Sequence, residues 1–409
     1  MKCLRRRLPP SLNTMTTSRS LGLYIHIPFC LAKCAYCDFL SFAGFSAAEQ
    51  ERYVQCLLLE LDWYSDGNGQ AGGQPINFRD VEVDTIFIGG GTPSLISVGL
   101  TEKILSKIYR NFTVSQDCET TIEANPKTID IKRLKAYRAM GINRLSLGAQ
   151  SLDARLLDFM GRIHTSEEFE RNYSEARVAG FENINVDLMF GIPGQTLEAW
   201  SYSLQRIIEL EPEHISFYGL KIEEGTLFHR MKTEKMLQEI SDDLDRNMYA
   251  LALRKLKAPK LNETYPNYNH YEISNAAKAG FECRHNLKYW SMSDYLGIGL
   301  GAHSYLNHER FSVTRDMVQY ETGSQSYVDW RHINSKEDEI SEFIFTGMRK
   351  IRGISFEDYE RGFGESIYMR YKNQLTKLIK DGLIELTETG MKLSPIGIDL
   401  SNFVLSEFV

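Results

Sequence analysis

The sequence predicts an α/β protein, built as a partial, TIM-like barrel of six βα units and completed by a winged-helix-like α+β domain at the C-terminus. Three observations predict this class. Short apolar runs alternate with helical segments from residue 21 to about 220, and polar residues follow several successive apolar runs. Near the end of the 409-residue chain, three helical segments precede two short strands around a glycine.

Six runs rich in apolar, β-branched and aromatic residues predict the strands of the barrel. They are "GLYIHIPF" (22–29), "TIFIGG" (85–90), "ETTIEAN" (119–125), "RLSLGAQ" (144–150), "NINVDLMFG" (183–191) and "HISFYGL" (214–220). The segments between them with helical periodicity are 47–65, 99–110, 130–139, 167–179 and 197–210. Because strands and helices alternate, we expect a parallel sheet with right-handed crossovers.

Polar residues after successive strands favour a sheet that curls into a barrel over an open, doubly wound sheet. A cysteine-rich loop follows the first strand, "GGGT" follows the second, and Glu123, Gln150 and Asp187 lie in or at the end of the next three. The carboxyl ends of several strands converge only if the sheet curls. Residue parity in the first strand agrees, because Tyr24 and His26 share one face and the apolar residues at 23, 25 and 27 share the other.

Two further regions complete the predicted barrel, which spans residues 21–240. Residues 241–340 form an extension, in which "TYPNYNHYEISN" (264–275) predicts a loop and a short strand. Residues 341–409 form the winged-helix-like domain, with helices at 341–350, 355–362 and 366–380 and strands in "LIELTETGMKLSP" (383–395). Winged helices often bind DNA, but this one carries nine Lys and Arg against ten Asp and Glu, which favours a structural or substrate-covering role.

The composition excludes several classes of protein. A net charge of −7 and a pI near 5.8 argue against a general nucleic-acid binder, which needs an excess of Lys and Arg. No run of about 18 uncharged apolar residues is present, so no segment is predicted to span a membrane. The seven cysteines are odd in number and four are scattered, which favours a reducing compartment over a disulfide framework.

The N-terminus leaves the location of the protein open between two interpretations. Residues 1–37 contain no Asp or Glu, and basic residues lie there among Ser and Thr. That composition is typical of a disordered basic tail, which we favour, and also of an organelle transit peptide, here over residues 1–20. We therefore expect a cytoplasmic protein, with the mitochondrion or a plastid as the alternative if the tail is a transit peptide.

Three cysteines, Cys30, Cys34 and Cys37, lie within eight positions after the first strand, in the stretch "PFCLAKCAYCDFL". Thiolates are soft ligands that suit zinc or an iron–sulfur cluster. A structural zinc site requires four ligands, and His26 is a candidate for the fourth. A 4Fe-4S cluster held by three cysteines leaves one iron open to an outside ligand.

The C-x3-C-x2-C loop resembles the signature of the radical S-adenosylmethionine (SAM) superfamily, in which an aromatic residue, here Tyr36, precedes the last cysteine. The resemblance implies a 4Fe-4S cluster whose fourth iron is chelated by the amino and carboxylate groups of SAM. It also implies, for the enzymes of this superfamily, that an electron from the cluster cleaves SAM to a 5′-deoxyadenosyl radical. The barrel would then be of the radical SAM type.

Further residues match the SAM contacts of the coproporphyrinogen-dehydrogenase-like subfamily. The motif "GGGTPS" (89–94) supplies bare backbone for the methionyl amino group, and carboxylates later in the barrel accept hydrogen bonds from ribose hydroxyls. An arginine in "MGRIH" pairs with the SAM carboxylate. The residues that the resemblance assigns to SAM are Tyr24, Tyr36, Gly90, Gly91, Thr92, Glu123, Gln150, Arg162 and Asp187.

Within the subfamily, two features favour the HemW-type heme chaperones over oxygen-independent coproporphyrinogen III oxidase. The oxidase carries a further cysteine two residues after the third cluster cysteine, where this chain has Phe39. The stretch "HNLKYW" (285–290) resembles the HNxxYW motif that is associated with heme in the HemW group. The motif gives four candidate heme contacts, His285, Asn286, Tyr289 and Trp290, with Cys283 and His303 as alternative iron ligands.

The alternative interpretation of "HNLKYW" is a core aromatic cluster around a hydrogen-bonded histidine. The resemblance covers residue 21 to the C-terminal domain, which is of the HemN_C type. It implies a heme chaperone that binds a 4Fe-4S cluster, SAM and heme and transfers heme to acceptor hemoproteins, plausibly respiratory and membrane-bound. A decarboxylase of coproporphyrinogen III remains the alternative, so enzymatic activity stays open, as does the choice between monomer and dimer.

Overall fold

A computed structural model describes residues 19–257, 267–323 and 327–408. Over these residues, the chain forms a twelve-stranded mixed sheet, a row of helices along it and a smaller C-terminal unit. The strands of the large sheet are β1 Arg19–Ile27, β2 Val81–Gly90, β3 Thr113–Ala124, β4 Arg144–Gln150, β5 Ile184–Phe190, β6 His214–Gly219, β7 Asn269–Glu272, β8 Asn275–Ala277, β9 Tyr295–Ile298, β10 His303–Leu306, β11 Glu309–Val313 and β12 Val328–Ile333.

The first six strands are parallel and lie side by side in chain order, from β1 to β6. Such a sequential order is that of a barrel wound in one direction, whereas a doubly wound sheet reverses direction at its centre. The sheet stays open, because β6 pairs on its far side with β8 and β1 pairs with β9. All six predicted strands are present at the predicted places.

The predicted extension is not a separate layer, because its strands continue the same sheet at both edges. Strands β8 and β7 add in antiparallel orientation beyond β6. Strand β9 lies parallel to β1 as a seventh parallel strand, and the antiparallel strands β10, β11 and β12 follow it. Periodicity did not reveal β9, since a strand of four residues offers too few positions for a pattern.

Helices follow the strands and cover the sheet. Those of the large unit are α1 Ala47–Trp63, α2 Val98–Asn111, α3 Ile131–Ala139, α4 Ala154–Phe159, α5 Ser166–Val178, α6 Leu197–Glu209, α7 Leu227–Thr233, α8 Asp242–Lys257, α9 Arg284–Trp290 and α10 Met317–Thr322. Local sequence fixes several starts: Ser46 and Thr165 form capping boxes with Glu49 and Glu168 at α1 and α5. Hydrophobic residues at helical spacing then turn one face of each helix to the sheet.

Strand β1 shows how one strand serves both the core and the site. Leu23, Ile25 and Ile27 are completely buried in the main hydrophobic cluster. On the other face, the hydroxyl of Tyr24 is hydrogen-bonded to Nδ1 of His26 at 2.9 Å. The predicted division of the strand into an apolar and a polar face is therefore present.

The C-terminal unit has its own hydrophobic cluster, built around Ile344, Tyr359, Leu375 and Met391. A three-stranded antiparallel sheet packs on helices there, as a winged helix requires. Its elements are α11 Lys336–Gly347, β13 Ile354–Ser355, α12 Phe356–Phe363, α13 Ile367–Arg370, α14 Lys372–Lys380, β14 Ile384–Leu386, β15 Gly390–Leu393, α15 Pro395–Asp399 and α16 Ser401–Ser406.

Two sequence predictions fall wholly or partly outside the described residues. The basic tail over residues 1–20 is one, and the first part of "TYPNYNHYEISN" is the other. The second part of that stretch forms β7 and the start of β8. In the part of the chain that the structure describes, no helix is long and apolar enough to cross a membrane.

Candidate functional site

The cysteine loop begins where β1 ends and is closed at its base by a short parallel pairing of Phe29–Cys30 with Phe42–Ala43. The loop lies over a cavity of about 430 Å³ at the carboxyl ends of the barrel strands, and Cys30, Cys34 and Cys37 line this cavity. All three thiols are half-buried and free. We call this space the cysteine cavity.

Each sulfur of the loop has a polar neighbour. Thr92 donates from Oγ1 to Cys30 Sγ at 3.5 Å, and Arg162 donates from Nη1 to Cys34 Sγ at 3.5 Å. The hydroxyl of Ser41 lies 4.0 Å from Cys37 Sγ. Burial raises the pKa of the Cys30 and Cys37 thiols, and the donors beside these two sulfurs act in the opposite direction, toward the thiolate form that binds metals.

The geometry does not favour the alternative of a zinc site closed by His26. Both ring nitrogens of His26 are used, Nδ1 by Tyr24 and Nε2 by the carbonyl of Leu40 at 2.9 Å. Across residues 19–257, 267–323 and 327–408, no three His, Cys, Asp or Glu side chains are close enough to hold one metal ion. A cluster in which each thiolate ligates a different iron does not require the sulfurs to meet at one point.

The glycine motif brings backbone against the cysteine loop. Gly90 adopts a φ of 119°, which L side chains rarely adopt, and Gly91 donates its N–H to the carbonyl of Ile27 at 2.9 Å. A Cβ atom on Gly91 would lie 3.0 Å from Cys30 Sγ and 2.8 Å from the carbonyl oxygen of Phe29. The loop can therefore pack as closely as it does only because residue 91 has no side chain.

Carboxylates from two strands face the cavity. Glu123 on β3 accepts from the N–H of Gly90 at 3.0 Å, and Asp187 on β5 accepts from Asn185 at 2.8 Å and Ser146 at 3.2 Å. Burial, and then the negative charge of Asp187, raise the pKa of Glu123 to about 8. Burial also raises the pKa of Asp187. Both groups line the cavity as deep hydrogen-bonding partners for a polar ligand.

Gln150 ends β4 with a φ of 62°, an unusual value for a residue other than glycine. Its side chain lines the cysteine cavity, near Gly148 and Arg162. Strained backbone of this kind persists where the surrounding structure holds it, often at a binding site. The position therefore agrees with the predicted ligand contact at Gln150.

Asn125 is a residue that the sequence analysis missed, and it connects two of the predicted ones. Its amide donates to Thr92 Oγ1 at 2.8 Å, and its carbonyl oxygen accepts from Arg162 Nη2 at 2.5 Å. Arg162 Nη2 also donates to the carbonyl of Gly148 at 2.9 Å, whereas its buried Nε has no partner among the residues that the structure describes. The signal that could have revealed Asn125 is its place two residues after Glu123 at the end of β3.

The two tyrosines that the sequence assigned to SAM lie in different places. Tyr36 lines the cysteine cavity and its ring is 6.4 Å from the ring of Phe228. Tyr24 instead lines two neighbouring cavities, a polar one of about 170 Å³ and a wider one of about 500 Å³. The structure thus brings together all the predicted cluster and SAM residues except Tyr24.

The "HNLKYW" motif forms helix α9, and its histidine lies in the interior. His285 is fully buried, with Nδ1 at 2.8 Å from Thr85 Oγ1 and Nε2 at 2.9 Å from the Tyr289 hydroxyl. Its ring stacks on Phe87 at 5.3 Å. Burial is the main cause that lowers its pKa to about 3. In this arrangement neither nitrogen is free to ligate iron, as expected from a hydrogen-bonded core histidine.

The rest of the motif faces two of the cavities. Asn286 lines the polar cavity of about 170 Å³. Tyr289 lines both that cavity and the wider one, and Trp290 lines the wider one; the buried Nε1 of Trp290 bonds to nothing in the described part of the chain. Of the alternative iron ligands, Cys283 is buried against Glu119, and His303 is exposed in the wider cavity.

The comparisons with known proteins agree with this geometry. Residues 24–207 match the radical SAM superfamily, and residues 334–400 match the HemN C-terminal domain. The heme chaperone HemW of Bacillus subtilis is 35% identical over 392 residues, which cover 94% of this chain and 98% of that protein. The chain belongs to the HemW family.

Two further relatives carry the same description. The heme chaperone HemW of Haemophilus influenzae is 36% identical over 95% of this chain and 98% of its own length, and that of Escherichia coli is 41% identical over 69% of each. Among solved structures, coproporphyrinogen III oxidase (HemN) from Escherichia coli superimposes with a TM-score of 0.79 at 22% identity, over 96% of this chain and 90% of that one. The predicted fold class is confirmed, and this likeness to the oxidase concerns the fold alone.

Proposed function

We propose that this protein is a heme chaperone that binds a 4Fe-4S cluster and SAM in the cysteine cavity and passes heme to acceptor hemoproteins. One observation carries the proposal: the three loop cysteines line the same cavity as the glycine motif, Glu123, Gln150, Arg162 and Asp187. The names of the HemW relatives support the heme function.

The residues of the cavity fit a cluster with SAM. The three cysteines would hold the irons, and Gly91 leaves room beside Cys30 that a Cβ would fill. The Nε of Arg162, which bonds to no described residue, is available to the SAM carboxylate, and Glu123 and Asp187 are available to ribose hydroxyls. When bound, the cluster supplies one-electron chemistry and an iron open to SAM.

Within this chain, Asn125 and Gly148 hold the guanidinium of Arg162 through one nitrogen, so that its plane is fixed toward the loop. Thr92 donates to a loop sulfur while it accepts from Asn125, so a single chain of hydrogen bonds runs from Cys30 to Arg162. We infer that this chain positions the ligand carboxylate relative to the cysteine loop. Tyr24 stays a proposed SAM contact, because the polar cavity that it lines shares Glu123 and Asp187 with the cysteine cavity.

The heme function is distinguished from the oxidase by Phe39, which is 64% exposed and lies two residues after Cys37, where the oxidase family has cysteine. We expect direct heme contacts from Tyr289 and Trp290. His285, which is hydrogen-bonded to the Tyr289 hydroxyl, and Asn286 would position these two side chains. The partners we propose are heme and acceptor hemoproteins, with respiratory and membrane-bound acceptors favoured and no nucleic acid.

The remaining proposals concern organisation and location. The domain limits of 21–240, 241–340 and 341–409 stand as proposals, with residues 1–20 as a basic tail or a transit peptide. We place the protein in the cytoplasm, or in the mitochondrion or a plastid if the tail is a transit peptide. As for oligomeric state, monomer and dimer both remain compatible with the proposed function.

The proposed function is tested by giving one anaerobically reconstituted preparation both substrates. We expect heme to bind with a Soret shift, and coproporphyrinogen III to release no CO₂ in the presence of SAM and reductant. Bound heme should then reach an apo-cytochrome b in nanodiscs faster than it is released to excess apomyoglobin, which traps dissociated heme. Sustained conversion of coproporphyrinogen III to protoporphyrinogen IX would refute the chaperone function.

A further inference from the structure

The wider cavity, like the cysteine cavity, is lined by residues of the cysteine loop. Asp38 and Phe39 line both spaces, so the segment after Cys37 is a shared wall. The wider cavity measures about 500 Å³, within the usual range of about 300–1,000 Å³ for ligand sites. We call it the hairpin cavity, because strands β10 and β11 form its floor.

Apolar and aromatic side chains supply its walls. Phe39 and Leu40 enter from the cysteine loop, and Trp290 and Met292 enter from the end of α9. Met292 has a φ of 48°, an unusual conformation for a side chain of its size. A flat apolar ligand would be covered by Phe39 on one side and approach Trp290 on the other.

Two histidines line the hairpin cavity, and they differ in what their nitrogens do. Both nitrogens of His26 are hydrogen-bonded, to Tyr24 and to Leu40. His303 begins β10, is exposed to the cavity, and its side chain has no hydrogen bond to any residue that the structure describes. A free imidazole of this kind is a ready axial donor for iron.

The positive charges of the cavity also differ in their partners. Arg310 is held by a bidentate ion pair with Glu342, at 2.5 and 2.8 Å, and by Tyr295 at 3.2 Å. Arg315, just after β11, makes no ion pair with the described part of the chain. Asp38 is the acidic residue among those lining the cavity. Arg315 therefore has its full hydrogen-bonding capacity available for a carboxylate.

We propose that the hairpin cavity is the heme site, with His303 as axial ligand to the iron and Arg315 paired with a propionate. The proposal rests on the heme function proposed above and gives it a location. The pairing of β10 with β11 places His303 opposite Ser312, and Arg315 follows three residues later, just beyond the end of β11; both side chains line the hairpin cavity. Heme in this place would touch Phe39, and the loop that carries the cluster would form part of the wall around the cargo.

The test is a titration of the full, reconstituted chain with hemin, followed by absorption and by EPR of the ferric state. The wild type should bind one heme per chain with a histidine-ligated Soret band. His303→Ala should lower the affinity about tenfold or more and shift the band, because the axial donor is lost. Added imidazole should restore the band in this variant, a recovery that a merely structural role of His303 would not give.

Two further variants separate the contribution of the propionate contact to heme affinity from that of the axial ligand. Arg315→Ala should lower heme affinity about tenfold without moving the Soret band, because only the propionate contact is removed. Arg315→Lys should recover part of that loss. His332→Ala is the matched control, since this exposed histidine lies on β12 and contacts Asp338 away from the cavity. It should bind heme as the wild type does.

The outcomes distinguish this inference from the function on which it rests. If the wild type binds no heme at one equivalent, the proposed function fails. If the wild type binds heme and His303→Ala keeps the same affinity and Soret position, the function stands and the site is elsewhere. Loss of heme by a folded His303→Ala variant that imidazole does not restore likewise rules out His303 as the ligand.

Discussion

A His285→Ala variant tests whether this imidazole stabilises the position of helix α9 or ligates heme iron. The ring is fully buried, bonded to Thr85 at 2.8 Å and to Tyr289 at 2.9 Å, and stacked on Phe87. The change therefore removes two hydrogen bonds and one packed ring from the contact between α9 and strand β2. We expect a loss of stability and an unchanged iron ligand.

The size of that loss follows from the contacts. An unpaired, buried hydroxyl at Thr85 costs about 1–3 kcal/mol, and the half-buried Tyr289 costs less. The space left by the ring adds about 1–2 kcal/mol. The total is roughly 2–6 kcal/mol, and with a urea slope of about 3 kcal/mol per M the unfolding midpoint falls by about 0.7–2 M. His285→Gln, whose amide can serve both hydroxyls, should lose less than half as much.

The pH dependence gives a second check on the same residue. In the folded protein, burial lowers the pKa of His285 to about 3, whereas the unfolded imidazole has a pKa of about 6.5. As the pH falls below about 6.5, the unfolded chain gains a proton that the folded chain does not take up. The wild type thus loses about 1.4 kcal/mol per pH unit through this residue. The glutamine variant does not, so its deficit should shrink by roughly 2 kcal/mol from pH 6.5 to 5.

The assay is urea unfolding followed by circular dichroism at both pH values, with heme titrations at 25 °C, where every variant is folded. Thr85→Val removes the same hydrogen bond from the other side, so its effect should not add to that of His285→Ala. A wild-type midpoint for His285→Ala would refute the structural role. A shifted Soret band in the folded variant would show that His285 ligates the iron.

Three further predictions concern the cluster, the SAM site and a buried carboxyl. Alanine at any one of the three loop cysteines should remove iron and sulfide together, about four of each per chain, whereas Cys56→Ala should retain both. Asp187→Asn should weaken SAM binding, measured as a smaller SAM-induced change in the EPR spectrum of the reduced cluster, and should leave the iron content intact. Gly91→Val should lose SAM binding and iron together, because the added Cβ would collide with Cys30. Burial raises the pKa of Glu60 to about 8, so the folded chain keeps a proton that the unfolded chain loses above about 4.5. Urea midpoints should therefore show Glu60→Gln gaining stability relative to the wild type from pH 5 to 8, and a constant difference would contradict this.

The sequence predicted those parts of the fold whose signal is local. Strands β1 to β6 and the helices between them appear at their predicted places, because apolar runs and segments of helical periodicity alternate along the sequence itself. The predicted contacts at the strand ends also gather in one cavity, since consecutive parallel strands present their carboxyl ends side by side. Tyr24 is the exception: it lines the neighbouring polar cavity, which shares Glu123 and Asp187 with the cysteine cavity, and its ring lies 6.3 Å from that of Phe87.

Other parts of the site required the tertiary structure. Asn125 becomes a link between Thr92 and Arg162 only when β2, β3 and the segment after α4 meet. Strand β9 is too short to be recognised alone, and it pairs with β1 across more than 250 residues of chain.

His285 and His303 show most clearly what the sequence could not predict, namely which imidazole is free to ligate iron. His285 stands in a recognisable motif, and His303 does not. Thr85 lies 200 residues before His285 and occupies its nitrogen, whereas no described residue does so for His303. The sequence alone determined which residue types are available to bind iron. The tertiary structure decided which imidazole is open, because hydrogen bonding and burial depend on neighbours that are distant along the chain.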